Sequence, residues 1–516
     1  MDRRSLIHRV GMAGGVAAAY HTMAALGLLA LPEAYAGPPG LPPGRGRRVV
    51  IIGAGIAGMV LAYELRKAGY VPVVLEARAR PGGRNWSLRA GDIVREASST
   101  QHVTWDREEH LYFNPGPGRL PHTHEGILSY CRMLGVPLEV MCNDNRAALM
   151  QDDKAFGGKP QLNSRVVNDV RGYVAELAAK AVDKDLLSQP VSTEDKERLR
   201  GLLRSFGALD KELGYRGSAR AGWADPPDAA GIGTAHQPLE LQQILASDFW
   251  DGPMQFGELS TMAATMLQPV GGMGRIGQAF GRELGTIITY QAVVTKLRRT
   301  EAGVRISWKH AETGGEHQID APCVVVTVPF PALDDVDADF SLATRIAIKS
   351  VYYVPAGKVA FQAKRRFWEL EQQIYGGISW TSRDITQVWY PSGGLQRPKG
   401  ILVGAYIWSD DVGNAFAAKP PSRRISDTLD DLAHLHTQAS QFLGQGVSVA
   451  WKNVPYTRGG WAEWSRKARS EEYSVLLAGD GPYLFAGEHM SYITGWQEGA
   501  IRSAHKVLND IAERMP

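Results

Sequence analysis

The sequence predicts an α/β protein of at least two lobes, organised around a parallel sheet. Two observations carry this. A strand, glycine-rich turn, helix and second strand follow one another between Val49 and Glu76. The chain of 516 residues also exceeds a single ordinary core.

The run Val49-Val50-Ile51-Ile52 has the β-branched character of a strand buried on both faces. It leads into Gly53-Ala54-Gly55-Ile56-Ala57-Gly58, where a strand turns sharply into a helix. Gly53 permits the turn, Gly55 lets a pyrophosphate approach the backbone, and Gly58 lets the helix lie close to the sheet. The helix N-terminus, with Ala57 in its first turn, offers unpaired N–H groups to phosphate. Arg66-Lys67-Ala68-Gly69 reads as a basic last turn with a glycine stop. Val71 to Leu75 is the next strand, and it delivers Glu76, 23 residues after Gly53, where a carboxylate can accept hydrogen bonds from ribose hydroxyls. A carboxylate there repels a 2′-phosphate, so FAD or NAD is expected in preference to NADP. A βαβ unit without a ligand is the structural alternative.

Asp2-Arg3-Arg4-Ser5, an Ala/Gly/Leu-rich run from Val10 to Leu31, and Ala34-Tyr35-Ala36 together describe a twin-arginine export signal spanning 1–36. Its partner is the twin-arginine export machinery, and the location implied is periplasmic or secreted. His21 and the glycines of the run argue against a stable membrane span. Residues 37–46 form a Pro/Gly-rich linker. The formal charge of +3 implies neither nucleic acid nor an acidic surface as partner. Cys131, Cys142 and Cys323 show no metal-ligand spacing, and their odd number argues against a disulfide framework. Buried structural thiols are expected.

Beyond Glu76 stands Ala77-Arg78-Ala79-Arg80-Pro81-Gly82-Gly83-Arg84. The glycine pair can turn backbone N–H groups toward a second set of ligand oxygens, with Arg84 as a charge-assisted donor. R-x-G-G-R at this distance resembles the second fingerprint of the flavin amine oxidases, the family of monoamine, polyamine and L-amino acid oxidases. The resemblance selects FAD over NAD and runs from about Arg47 to Asp510. It implies a two-lobed flavin amine oxidase fold: a Rossmann-like FAD-binding domain in segments 47–110, 265–335 and 456–516, and a mixed-sheet substrate domain in 111–164, 236–264 and 336–455. A helical insert at 165–235 completes it, with Ser192-Thr193-Glu194-Asp195 resembling a helix cap.

Further residues take roles from the same resemblance. Pro117-Gly118-Arg119 matches the segment whose arginine holds a substrate α-carboxylate beside the flavin, and Tyr406 in Ala405-Tyr406-Ile407-Trp408-Ser409-Asp410-Asp411 matches the tyrosine that bonds the same carboxylate. An exposed loop arginine and an ordinary core tyrosine are the plain alternatives. Val294 matches the valine whose backbone meets the adenine. Gly274 stands where many relatives have aspartate. Lys358 matches the lysine that holds a water near flavin N5, with snorkelling to the surface as its alternative. Gly487-Glu488 and Gly495-Trp496 match the closing flavin motif, in which Glu488 holds ribityl or phosphate-linked groups and Trp496 packs beside substrate and flavin. Since no cysteine follows Cys323, FAD is expected to be non-covalent.

The implied activity is that of an L-amino acid oxidase using an L-amino acid and molecular oxygen, and a homodimer is compatible with it. A monoamine or polyamine oxidase, a decarboxylating amino acid 2-monooxygenase, and an exported flavin-binding module without turnover are the alternatives. Asp225 and Glu240 suit a basic substrate or, equally, simple surface solvation.

Overall fold

The computed structural model describes residues 35, 37–184 and 191–515. The export-signal reading falls on residues that lie, apart from Tyr35, outside these. Residues 41–516 pack as one compact unit.

Strand β1 (Arg48–Ile52) leads through the glycine turn into helix α1 (Ile56–Lys67), and β2 (Val71–Leu75) follows. The helix stops where the sequence predicts, with Ala68 N–H returning to the Glu64 carbonyl and Gly69 at φ +80°. Much later come β3 (Ile288–Thr289) and β4 (Cys323–Val326), so that Val50 lies between Val73 and Val324 in a parallel register. Alternation along β1 sends Val49 and Ile51 into one core, with Met59, Val60 and Leu61 of α1. Val50 and Ile52 enter a second, with Leu297, Val326 and Phe330. Each such fully buried aliphatic side chain contributes about 1.5–3 kcal/mol, and burial on both faces explains the uninterrupted β-branched run.

A second framework is a seven-stranded mixed sheet. Its strands include β5 (Gly357–Ala363), β6 (Gln387–Tyr390) and β7 (Gly400–Ile407). β5 and β7 are antiparallel, with Lys358 directly opposite Tyr406, so both side chains leave the same face. One strand pair, 377–381 with 149–151, is parallel and makes the sheet mixed. β8 (Tyr483–Phe485) then completes the parallel sheet in the order β3-β2-β1-β4-β8, and helix α2 (Gln497–Arg514) covers α1.

The insert contains helices over Asn163–Asp183 and Thr193–Gly207, and the Ser192 hydroxyl accepts the Asp195 N–H at 3.1 Å as its cap. Strands Trp223–Asp225 and Thr234–Ala235 pair antiparallel, and Leu241–Ala246 forms a short helix. Among the described residues no helix is long and apolar enough to cross a membrane.

Candidate active site

The cavity begins where the two glycine motifs meet. Gly53 turns at φ +103° and is braced by Thr327, whose hydroxyl donates to the Ile52 carbonyl at 2.8 Å. A Cβ on Gly58 would stand 2.0 Å from the Gly53 carbonyl oxygen, whereas one on Gly55 would meet nothing within 4 Å. Gly58 therefore serves helix packing and lies off the cavity wall, the one residue of the expected cofactor set to do so, while Gly55 leaves open space on that wall. Gly82 donates to the Ala54 carbonyl at 2.8 Å, which joins the second motif to the first.

Glu76 is 3 % exposed and lines the cavity. Its oxygens accept the backbone N–H groups of Ala54 at 2.8 Å and Arg78 at 2.9 Å, which fixes the carboxylate and leaves lone pairs for a hydroxyl. Arg78 in turn donates to Thr457 at 2.6 Å. Glu488 lines the cavity as well. It accepts Arg84 at 2.9 Å, the Ala462 N–H at 3.2 Å and the Gly495 N–H at 2.8 Å, and so locks Arg84 and the Gly495 turn to each other. Ala77, Gly83, Pro117, Gly118, Val294 and Gly487 all line the same wall. Gly274 proves to be required sterically, since a Cβ there would stand 2.9 Å from the Ser87 backbone nitrogen. The Gly274 N–H donates to the Ser87 hydroxyl instead, at 2.8 Å.

At the other end the cavity is aromatic and carries two cations. The Arg119 guanidinium lies 4.7 Å from the Trp389 ring centre, 5.1 Å from Phe256 and 6.0 Å from Trp496. It donates to Asn143 Oδ1 at 2.8 Å, and among the described residues no carboxylate pairs with it. Burial lowers its pKa to about 10, with the Tyr406 phenol opposing. Lys358 is 3 % exposed and donates to the carbonyls of Gly116 at 2.7 Å and Asn114 at 3.2 Å, so it does not snorkel. Burial first, and then the Arg119 charge, push its pKa down to about 7. Its ammonium stands 4.5 Å from the Tyr406 ring centre and 4.8 Å from that of Trp389. Burial raises the pKa of the Tyr406 phenol, keeping it a donor.

Several residues of the chamber carried no sequence signal. Trp389 and Met262 line it, and Asn143 and Phe256 contact Arg119, all from segments without motifs. His124 meets Trp496 edge-on at 4.9 Å, and burial lowers its pKa. Trp461 lines the wall as well. Asp225 and Glu240 are exposed and stand off the cavity, which removes them as partners for a basic substrate there. Cys131 and Cys323 are buried free thiols, both with pKa raised to about 12 by burial, but Cys142 is only half-buried. No group of potential metal ligands occurs among the described residues.

This fold and this wall define an α/β dinucleotide-binding protein with an aromatic, cation-bearing reaction chamber. The chain belongs to the flavin containing amine oxidoreductase family, whose model matches residues 56–512. It is 28 % identical over 492 residues to the putative L-amino-acid oxidase YobN of Bacillus subtilis (strain 168), covering 91 % of this chain and 95 % of that protein. It is 25 % identical over 484 residues to the flavin-dependent L-tryptophan oxidase RebO of Lentzea aerocolonigenes, covering 89 % and 96 %. Among solved structures, cyclohexylamine oxidase from Brevibacterium oxydans IH-35A superposes with a TM-score of 0.59 at 18 % identity, over 92 % of this chain and 99 % of that one.

The protein is accordingly a flavin-dependent oxidoreductase acting on a CH–NH2 group with oxygen, and membership implies FAD. The residues present fit that group. The open space at Gly55, the orphan N–H groups at the start of α1, and the fixed Glu76 carboxylate suit an adenosine diphosphate.

Proposed function

We propose that this chain is an FAD-dependent L-amino acid oxidase, converting an L-amino acid, O2 and water into a 2-oxo acid, ammonia and hydrogen peroxide. The observation that carries this reading is Arg119. A half-buried guanidinium whose hydrogen-bond partner among the described residues is one neutral amide, in an aromatic surround, is costly unless an anion completes it. A substrate α-carboxylate does so with a bidentate grip.

Arg119 and the Tyr406 hydroxyl orient the carboxylate, which presents the α-C–H to the chamber in a near-attack geometry. Bound FAD supplies the hydride-accepting chemistry. Trp461 and Trp496 exclude bulk water from the reacting carbon. Lys358, with two N–H bonds spent on backbone carbonyls, offers its remaining one to a water in the cavity and so serves the oxygen half of the reaction. The two-lobed division into FAD-binding and substrate-binding segments, non-covalent FAD, and export to the periplasm or beyond by the twin-arginine route belong to the same proposal.

Oxidation of simple amines is the rival that the structural likeness to cyclohexylamine oxidase favours. An oxygen-consumption screen of the L-amino acids, their D-enantiomers and the matching decarboxylated amines separates the two. Turnover of L-amino acids is expected. Arg119→Met should then lose about 100-fold or more in kcat/KM on them, from removal of a charge-assisted bidentate contact. Turnover of amines alone would overturn the assignment, and an amide product would replace it with a monooxygenase.

A further inference from the structure

The two cations of the chamber converge on a single ring. Arg119 lies 4.7 Å and Lys358 4.8 Å from the centre of Trp389, and like charges so placed raise each other's cost in a buried site. No carboxylate pairs with either among the described residues. The electron-rich face of an indole is the strongest aromatic counter-surface for a cation, and it gains when water is excluded.

The ring is held in place from three sides. Its Nε1–H donates to Gln387 Oε1 at 2.7 Å, and Tyr406 meets it edge-on at 5.3 Å and 86°. On the third side a Cβ on Gly118 would stand 2.6 Å from Trp389 Cζ3, so the ring rests against backbone only because that residue is glycine. Gly118 immediately precedes Arg119. The close approach thus brings the indole under the guanidinium, while β6 and its neighbour β7 bring it beside the Lys358–Tyr406 pair.

We propose that Trp389 is a positioning residue for both halves of the reaction: its ring is the shared counter-surface that holds Arg119 toward the substrate carboxylate and Lys358 toward the oxygen-side water. This rests on the roles given to Arg119 and Lys358 under the proposed function. The ring touches both cations, and perturbing its π-density reaches the two half-reactions together. A residue that merely filled space would affect neither when its shape was kept.

The test replaces Trp389 site-specifically with mono-, di- and trifluorotryptophan in the FAD-loaded enzyme at pH 6, where Lys358 keeps its proton. Shape is nearly constant through this series while the negative potential of the ring face falls. Two constants are read: the apparent Kd of an L-amino acid from anaerobic flavin bleaching, and the second-order rate constant for reoxidation by O2. Both are expected to worsen stepwise, by about tenfold across the series. Trp389→Phe, which keeps a weaker face, should fall between. Constants that stay level through the series, or movement of only one, would overturn the proposal. The wild-type enzyme with the decarboxylated amine keeps the two readings apart. If amines are its substrates and amino acids are not, the carboxylate assignment has failed; if amino acids are oxidised but fluorination is silent, only the role of Trp389 has.

Discussion

Lys358 carries a burial cost that can be read in solution. Its pKa falls from 10.5 to about 7, chiefly because burial disfavours the ammonium and secondarily because Arg119 stands near. The folded protein therefore gives up this proton near pH 7, whereas the unfolded chain keeps it until about pH 10.5. Between those values unfolding takes up a proton, so the folded state gains stability as pH rises, by at most about 1.4 kcal/mol per pH unit. Urea denaturation of apoprotein from pH 6.5 to 9.5 should show wild type gaining on Lys358→Met throughout that window. Parallel pH profiles for the two proteins would contradict a lysine that gives up its proton near pH 7.

Where one element meets another, the cofactor half of the site was open to reading from sequence and the reaction chamber much less so. Gly53, Gly55, Gly58 and Glu76 lie within one βαβ unit, where local sterics dictate residue type at fixed spacing. Arg119, Lys358 and Tyr406 were reachable only through resemblance, since an arginine in a loop and a tyrosine in a strand have commoner explanations. Trp389, Asn143, Phe256 and Met262 were invisible, because their proximity to Arg119 is made by sheet register and loop packing rather than by sequence spacing. Gly58 offers the test at this scale. A methyl group placed 2.0 Å from the Gly53 carbonyl must push α1 off β1, an overpacking that costs about 1–3 kcal/mol. Gly58→Ala should lower Tm and purify with little flavin; full flavin content at wild-type stability would show that the helix does not need to lie so close.

Across the whole molecule the cavity draws on β1 and β2 of the parallel sheet and on β5, β6 and β7 of the mixed sheet, from Ile52 to Ala500. Ligand binding to such a wall is coupled to global folding. A ligand present at 1,000 times its Kd adds about 4 kcal/mol to stability, which is several degrees in Tm. Calorimetry of apoprotein titrated with FAD should show one transition moving upward by that amount, with FMN giving little, because the adenosine half of the cradle at Gly55 and Glu76 then goes unused. Two transitions, of which FAD moves one, would mean that residues 41–516 do not unfold as a unit.

The carboxylate of Glu488 ties Arg84 to Gly495, an early loop to one of the last turns in the chain. During synthesis the first fingerprint leaves the ribosome hundreds of residues before its counterpart, and the cradle cannot close on a dinucleotide until that counterpart has emerged. Closure of the cradle thereby waits for the segment through Gly495, and a nascent fragment ending before Gly460 lacks both the carbonyl and the carboxylate to which Arg84 donates.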